Sequence, residues 1–383
     1  MEIRNLKNGN IGLLGFGLMR LPCTGDYGEV DTAKSIEMVD FAIARGVNYF
    51  DTAWMYHNGN SEYFAGEALS RYPRNRFYLA DKMPLIALKE EEEEVERIFN
   101  EQLKKCRTEY FDFYLLHNIN QAHIQTVESL KVYEKLKQKQ KQGLIRYLGF
   151  SFHDRPELLQ RVVAQYDWDF AQIQLNYVDW ELQQAGKLYG ILEQKNIPVC
   201  IMEPIRGGSL ANLPEEACGI LKAADPQASL AAWALRYAAS LPGVQVILSG
   251  MSTLEQVQDN VQTMSPLKPL TDEERGVIEK ALVAYRKAGA VPCTSCRYCM
   301  DCPQGVEIPK NLGIYNNYKR AIAQSNPMAK MHFEMEWGFF KDVERASNCI
   351  ECGACKTLCP QHIDIPHWMK TIGELYEHGL KGQ

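Results

Sequence analysis

The chain has 383 residues, enough for one large domain and a smaller one. Its formal net charge of −6 argues against a nucleic acid partner, because phosphate binding needs a basic face. No apolar stretch approaches the ~18 residues that a membrane span needs. No apolar signal segment precedes the polar residues Arg4–Asn10, so we expect a cytoplasmic protein without a membrane partner, whose thiols stay reduced.

Short apolar strands alternate with amphipathic helices through residues 11–262. The predicted strands are, in chain order, Ile11–Phe16, Val47–Asp51, Phe77–Lys82, Phe111–His117, Ile145–Ser151, Ala171–Leu175, Pro198–Met202 and Val244–Leu248. The helices predicted between them include Thr32–Arg45, Glu91–Lys105, Thr126–Gln142, Pro156–Tyr166 and Gln227–Ser240. Eight strands over about 250 residues are typical of a (β/α)₈ TIM barrel. A doubly wound open sheet shows the same alternation, but the strand count favours the barrel.

Further elements are predicted on both sides of this α/β region. Ile3–Leu6 and the Asn8-Gly9 turn predict a hairpin that plugs the bottom of the barrel. Asp272–Ala288 is predicted to be an amphipathic helix, and prolines 266, 269 and 292 mark the boundaries between it and the domains on either side. We therefore predict a barrel at 1–265, a connecting helix at 266–290 and a cysteine-rich domain at 291–383, which is helical between its two cysteine runs.

Eight of the twelve cysteines form two runs near the C-terminus, each closed by proline. The first run is Cys293, Cys296, Cys299 and Cys302, and the second is Cys349, Cys352, Cys355 and Cys359. The second run has the C-x₂-C-x₂-C-x₃-C-P spacing of bacterial ferredoxins, in which the fourth cysteine serves the other cluster. The two runs therefore predict two 4Fe–4S clusters with crossed ligation. Cys359 would complete the first cluster and Cys302 the second.

Zinc and disulfide bonds are the alternatives for these cysteines. Cys₄ zinc sites also use C-x₂-C pairs, but they usually join two separated knuckles rather than two runs of four. Disulfides are disfavoured in a reducing compartment. The first run has one residue fewer before its last cysteine, so the assignment of Cys302 stays open. The iron–sulfur interpretation predicts a mostly helical, ferredoxin-like domain that handles electrons.

Polar side chains stand where the predicted barrel strands end. Asp51 ends the second strand, Lys82 the third and His117 the fourth, while Tyr56 lies on the loop after the second. Barrel enzymes place their chemistry at this end of the strands. A hydride that attacks a carbonyl leaves an alkoxide, which needs a proton. Tyrosine, with an ordinary pKa of about 10, becomes a proton donor near neutrality when an ammonium stabilises its phenolate. The four residues together therefore suggest carbonyl reduction.

The stretch Gly46-Val-Asn-Tyr-Phe-Asp51-Thr-Ala-Trp-Met-Tyr56, followed by Ser61-Glu62 and Gly66, resembles the signature of the aldo-keto reductases. The resemblance covers roughly residues 1–265, and Lys82 and His117 fall where that family has its other two catalytic residues. It implies a barrel that binds a nicotinamide cofactor without a Rossmann fold. Tyr56 would be the general acid, Asp51 and Lys82 would tune it, and His117 would orient the carbonyl. The cysteine-rich end resembles a subgroup with a fused dicluster ferredoxin domain.

Cofactor contacts are predicted on the loops after the last two strands, where barrels often bind phosphate. The first loop offers Arg206, Gly207 and Gly208 for a pyrophosphate, although the glycine pair also suits a plain tight turn. By the resemblance, further contacts are Ser151 and Gln172 for the nicotinamide amide, and Asp259 and Asn260 for the adenine. Met202 replaces an aromatic residue that often stacks on the nicotinamide. Gly250 and Gln256 replace basic residues that often hold the 2′-phosphate, so NAD and NADP both remain open.

The leading hypothesis is an oxidoreductase that uses NAD or NADP on a small carbonyl or alcohol substrate and carries two clusters. The clusters could pass electrons to the bound substrate or cofactor, serve a redox protein partner, or only hold the tail folded. The alternative is a non-catalytic redox sensor or electron carrier on a retained barrel. The presence of both Tyr56 and Lys82 argues against that alternative.

Overall fold

The computed structural model describes residues 1–6, 9–89, 91, 93–287, 289–300, 302–323 and 326–380. The chain forms two compact units. The first comprises Met1–Ile205 and Ala231–Thr271, and the second comprises Arg206–Leu230 and Asp272–Gln383. The segment Arg206–Leu230 lies within the barrel domain of the sequence prediction, but it groups with the cysteine-rich end of the chain.

The first unit is built on eight parallel strands that close into a barrel. The strands of the chain are β1 (Ile3–Leu6), β2 (Gly9–Gly12), β3 (Leu14–Gly17), β4 (Tyr49–Asp51), β5 (Tyr78–Pro84), β6 (Phe111–Ile119), β7 (Ile145–Phe152), β8 (Phe170–Gln174), β9 (Val199–Met202) and β10 (Val244–Gly250). Strands β3 to β10 pair in chain order, and β10 pairs with β3 to close the ring. The barrel prediction is confirmed.

The predicted first strand, Ile11–Phe16, is divided between two strands. β2 pairs antiparallel with β1, whereas β3 belongs to the barrel. The chain turns at Gly12, whose N–H donates to Oδ1 of Asn48 at 2.8 Å. A Cβ at Gly12 would meet the carbonyl oxygen of Gly46 at 2.9 Å, so this close approach requires glycine. The apolar run in the sequence is continuous across this bend and therefore conceals it.

The N-terminal hairpin closes one end of the barrel interior. The predicted strand Ile3–Leu6 is present as β1 and pairs with β2, which begins at Gly9, while the predicted turn residue Asn8 lies outside the described residues. Ile11 of β2 is fully buried and packs with Tyr49, Phe113 and Phe170, which fill the interior of the barrel. The hairpin therefore plugs the barrel, as the sequence predicted.

The helices of the chain are α1 (Thr32–Ala44), α2 (Asn60–Leu69), α3 (Glu94–Lys105), α4 (Ile124–Ser129), α5 (Val132–Lys141), α6 (Pro156–Gln165), α7 (Asp179–Leu182), α8 (Ala185–Gln194), α9 (Glu215–Ala224), α10 (Leu230–Ala239), α11 (Leu254–Thr263), α12 (Asp272–Lys287), α13 (Ile308–Ala323), α14 (Ala329–Gly338), α15 (Ala354–Leu358) and α16 (Ile365–Glu374). The predicted helix Thr126–Gln142 is divided into α4 and α5, because Lys131 adopts a left-handed backbone with φ of +50°. The predicted helix from Asp272 is α12, and its predicted last residue, Ala288, lies outside the described residues.

The second unit is mostly helical, as predicted. Its core is formed by Leu312 of α13, Phe333 and Trp337 of α14, and Met369 and Ile372 of α16. All five side chains are at most 2% exposed. In the part of the chain that the structure describes, no helix combines the length and the apolar character needed to cross a membrane.

Candidate active site and cysteine cavities

Strand alternation brings polar side chains to one end of the barrel interior. Tyr49, Ala80, Leu115 and Phe170, one from each of four strands, belong to the interior cluster. Because side chains alternate along a strand, the residues two positions further also point inward, at the carboxyl ends of the strands. Those residues are Asp51, Lys82, His117 and Gln172.

Lys82 and Asp51 form a fully buried ion pair. Nζ of Lys82 donates to Oδ1 of Asp51 at 2.6 Å and to the carbonyl oxygen of Thr52 at 2.6 Å. Burial raises the pKa of Asp51, and the Lys82 ammonium opposes that rise. Oδ2 of Asp51 has no hydrogen-bond partner within the described residues. Two oxygen acceptors therefore hold the ammonium at a fixed position.

The ring of Tyr56 lies beside this ammonium. Nζ of Lys82 is 4.9 Å from the centroid of the Tyr56 ring. The ring centroids of Tyr56 and His117 are 6.0 Å apart, with the planes at 86°. Tyr56 is 7% exposed and His117 3%. The structure thus brings the four predicted catalytic residues together in one buried place.

The turn that carries Tyr56 is held by its neighbour His57. His57 is fully buried and stacks on Tyr27, with 4.7 Å between the ring centroids. The N–H of Leu21 donates to Nε2 of His57 at 3.2 Å, and Nδ1 lies 3.6 Å from Sγ of Cys23. Burial lowers the pKa of His57 to about 4, so this imidazole is neutral near pH 7.

The imidazole of His117 is also neutral. Burial, followed by the Lys82 ammonium, lowers its pKa well below the ordinary value. Strand β6 is irregular just beyond it, where Asn118 has a φ of +62° and the register against β7 shifts. The N–H of Asn118 donates to Oγ of Ser151 at 2.7 Å. This bulge connects the predicted catalytic histidine to the predicted cofactor-binding serine.

Gln172 carries a buried acceptor suited to a ligand amide. Its Oε1 has no hydrogen-bond partner within the described residues, while Nε2 donates to Sδ of Met202 at 3.6 Å. Ser151, on the adjacent strand, accepts a hydrogen bond from a backbone N–H, which leaves its own hydroxyl hydrogen to donate. An acceptor and a donor side by side match a carboxamide, so these residues fit a nicotinamide.

The remaining predicted contacts after β10 stand on the loop and on α11. Nδ2 of Asn260 is buried and donates to Oγ of Ser249 at 2.9 Å, which ties the helix to the strand end. Asp259 is half-buried beside it. Gln256 accepts a hydrogen bond from the N–H of Ser252 at 2.8 Å and so closes the loop before α11.

The sequence interpretation missed a basic residue beside Gly250. Arg20 lies three residues after the end of β3, and a Cβ at Gly250 would meet its Cδ at 2.9 Å. Nη2 of Arg20 donates to Oε1 of Glu203 at 2.8 Å, and the carbonyl oxygen of Arg20 accepts from Ser252. Its position at the end of the first barrel strand was the signal that could have identified it.

Sequence reasoning also missed a hydrogen-bonded network behind the lysine. Nε2 of Gln102 donates to the carbonyl oxygen of Lys82 at 2.9 Å and to Oε1 of Glu62 at 2.8 Å, and Oε1 of Gln102 accepts from Tyr114. Oε2 of Glu62 pairs with Nζ of Lys105 at 3.0 Å. These side chains fix the strand end that carries Lys82. The motif Ser61-Glu62 was the only part of the network visible in the sequence.

Arg206, Gly207 and Gly208 lie in the second unit. Arg206 is 2% exposed, and its Nη2 donates to the carbonyl oxygen of Pro292 at 3.3 Å. Gly207 has a φ of +64°, and a Cβ there would clash with the backbone of Thr294. Arg206 and Gly207 therefore lie against the two residues that flank Cys293.

The eight cysteines of the two runs line two cavities. One, of about 300 Å³, is lined by Cys293, Cys296, Cys299 and Cys359. The other, of about 470 Å³, is lined by Cys302, Cys349, Cys352 and Cys355, with Cys299 also on its wall. This is the grouping that crossed ligation predicts. Within the described residues, no three potential ligands converge on a point that would hold a single metal ion.

The cysteines that line each cavity are close enough to influence one another electrostatically. Burial raises the pKa of Cys299, and the neighbouring Cys296, Cys293 and Cys359 raise it further. Burial raises the pKa of Cys355 to about 11, with Cys349 adding to the rise. Four sulfur atoms around a cavity are the donor set of a 4Fe–4S cluster, so the residues fit that group.

Comparison with known proteins gives two family matches, one after the other along the chain. Residues 13–283 match the Aldo/keto reductase family and residues 292–363 match the 4Fe-4S dicluster domain. An uncharacterized oxidoreductase, YqkF, of Bacillus subtilis strain 168 is 26% identical over 313 residues, which cover 73% of this chain and 94% of that protein.

Two solved structures resemble the chain. The holo form of aldo-keto reductase AKR11C1 from Bacillus halodurans has a TM-score of 0.60 and 25% identity, covering 73% of this chain and 96% of its own. An aldo/keto reductase from Klebsiella pneumoniae in complex with NADP and acetate has a TM-score of 0.58 and 22% identity, covering 74% and 94%. The latter shows likeness of fold alone.

Proposed function

The chain is an oxidoreductase that belongs to the aldo/keto reductase family and carries a 4Fe-4S dicluster domain, and from this premise we propose that it interconverts a carbonyl and an alcohol by using NAD or NADP. The observation that carries the proposal is the buried set of Asp51, Lys82, Tyr56 and His117 beside the unpartnered acceptor of Gln172. A nicotinamide bound there supplies or takes up the hydride.

Tyr56 is the proposed proton donor. In the direction of reduction its phenol proton passes to the carbonyl oxygen, and in oxidation the phenolate takes it back. The Lys82 ammonium, 4.9 Å from the ring centroid, stabilises the phenolate that remains after transfer. Asp51 positions that ammonium through the 2.6 Å ion pair.

His117 is proposed to hold the substrate oxygen. Because the imidazole is neutral, one ring nitrogen can donate a hydrogen bond to a carbonyl without placing a second cation beside Lys82. Burial of the whole set keeps water away from the reacting atoms.

The cofactor contacts follow from the same end of the barrel. Ser151 and Gln172 are proposed to hold the carboxamide, with Met202 as an apolar neighbour. Arg20, next to Gly250, is proposed to supply positive charge to a phosphate. Two further proposed contacts rest on the family resemblance: Asp259 and Asn260 for the adenine.

The two cysteine groups are proposed to hold two clusters that move single electrons. Cys293, Cys296, Cys299 and Cys359 would hold the first, and Cys302, Cys349, Cys352 and Cys355 the second. Cys352 is exposed, and Ile350, two residues before it, is 60% exposed. A redox protein partner would reach the second cluster at this edge.

The catalytic assignment is tested with Tyr56→Phe. Anaerobically purified protein is assayed with small aldehydes and with NADH and NADPH separately, which also decides the cofactor. We expect kcat to fall by about 10² to 10⁴-fold, the usual contribution of a positioned acid. Tyr133→Phe is the matched control, because Tyr133 lies on α5 and donates only to the carbonyl oxygen of Asp167. Equal turnover by both variants would sink the assignment.

A further inference from the structure

The second unit contains a buried cation beside the first cysteine of the first run. Arg206 is 2% exposed and donates to the carbonyl oxygen of Pro292, the residue before Cys293. Gly207 approaches Thr294, the residue after Cys293, so closely that no Cβ fits between them. The phosphate-binding role that the sequence suggested for this arginine stays a prediction, and the structure adds a contact with the chain beside a cluster cysteine.

The two cavities differ in their surroundings. In the first, Cys299 and Cys359 are buried, and the N–H of Ser295 donates to Sγ of Cys293 at 3.3 Å. In the second, Cys352 is exposed, and the acidic Glu351 stands next to it in the chain. Hydrogen bonds to sulfur, net charge and solvent exposure all set the reduction potential of a 4Fe–4S cluster.

We propose that Arg206 raises the reduction potential of the cluster held by Cys293, Cys296, Cys299 and Cys359 above that of the other cluster. The inference rests on the proposed cluster assignment. Reduction adds one electron, supplied by an external one-electron donor, and requires no proton from Arg206. A fixed positive charge stabilises the more negative, reduced form, and it acts more strongly in a buried site than in water.

Gly207 serves as the positioning element for this charge. Its left-handed backbone and its contact with Thr294 seat the chain against the first cysteine run. Gly208 shares the left-handed backbone, with a φ of +90°, but a Cβ there would meet nothing within 4 Å. Alanine at either position strains the left-handed backbone, but only alanine at 207 also collides with the backbone of Thr294, so the two substitutions form a matched pair that differs in this contact.

The test is an anaerobic redox titration with dithionite, followed by electron paramagnetic resonance of each reduced cluster. Iron and sulfide contents of the wild type establish first whether two clusters are present, so a failure of the cluster assignment is seen separately. Cys352→Ser, which alters the other cluster, assigns the two signals. For Arg206→Gln we expect the reduced-to-oxidised ratio of the first cluster to fall about tenfold at a given potential, or about 59 mV for one electron.

Two control variants separate charge from structure. Arg206→Lys keeps the charge and should leave the ratio within about threefold of the wild type. Arg320→Gln removes another arginine that holds the same segment, since Nη1 of Arg320 donates to the carbonyl oxygen of Asn212 at 3.0 Å. Because that contact is not beside a cluster cysteine, Arg320→Gln should leave both potentials unchanged.

If the Arg206→Gln variant fails to take up iron, the two glycine variants test the proposal in its place. Gly207→Ala should shift the first cluster and leave the second unchanged, whereas Gly208→Ala should shift neither. The proposal is overturned if Arg206→Gln shifts both clusters equally or shifts neither, or if Gly207→Ala and Gly208→Ala give the same potentials.

Discussion

The barrel holds its reactive side chains with bonds made inside the protein, whereas the cysteine unit has two cavities that are lined by its cysteines. In the barrel, Asp51 and the carbonyl oxygen of Thr52 hold Lys82, and Gln102 holds the strand behind it. In the cysteine unit, burial raises the pKa of Cys299, and the neighbouring cysteines raise it further. The barrel site is therefore complete before a ligand arrives, but the cysteine groups need iron to bring four thiolates together.

Removal of iron should have the largest effect, and it should be confined to one unit. With chelator and oxidant we expect amide protection from hydrogen exchange to disappear around residues 291–300 and 346–364, since metal binding to such sites is folding free energy, on the order of 10 kcal/mol for structural zinc. Strands β3 to β10 serve as the internal control and should keep their protection.

The opposite result would also be informative. If protection around the two cysteine runs survives loss of iron, then Leu312, Phe333 and Trp337, with their neighbours, hold the second unit without metal. The two units would then not differ in this respect, because both would be folded before their cofactors bind.

Breaking the buried Lys82–Asp51 ion pair tests whether contacts within the protein hold the reactive side chains of the barrel. Lys82→Met leaves Asp51 buried without its cation, and we expect the free energy of unfolding of the barrel to fall by about 3 to 5 kcal/mol. Turnover should fall at least about 100-fold, since the phenolate of Tyr56 loses its ammonium. Urea titration and steady-state kinetics measure the two effects.

Lys287→Met is the matched control for that change. Lys287 pairs with Glu216 at 3.1 Å, and the two side chains are 63% and 60% exposed. Pairs of this kind contribute about 0 to 1 kcal/mol. Similar stability losses in both variants would show that the Asp51–Lys82 pair is no more important than a surface contact.

The sequence predicted the parts of the site that depend on strand periodicity. Asp51 ends its strand, and Lys82 and His117 lie two residues before the ends of the next two strands, where alternation along each strand points them inward. The position of Gln102 could not be predicted in this way, because its partners Glu62 and Tyr114 come from separate elements that meet only in the fold. Contacts between separate elements produce no periodic pattern in the sequence.

The contacts of Arg206 were still harder to predict from the sequence. Its glycine-rich loop follows a barrel strand and therefore suggested phosphate binding. The segment Arg206–Leu230 instead groups with the second unit, where Arg206 meets Pro292, 86 residues along the chain. Local chemistry predicted what the loop could bind, but long-range packing determines what the arginine contacts.

The smallest of the expected effects concerns His57, which the barrel buries as a neutral ring. Its pKa is lowered from 6.5 to about 4 by burial. As pH falls below 6.5 the unfolded chain binds a proton at this histidine and the native barrel does not, so stability is lost on acidification, by about 2 kcal/mol at pH 5. Asp51 and Glu62 have raised pKa values and act in the opposite direction, so the contribution of His57 must be taken as a difference between variants.

His57→Gln should lose about 2 kcal/mol less than the wild type between pH 7 and pH 5 in urea titrations of the barrel, while His332→Gln, at an exposed position, should follow the wild type. Parallel pH profiles for the two variants would show that His57 is not held neutral, and that the turn carrying Tyr56 is less firmly built than the contacts of His57 indicate.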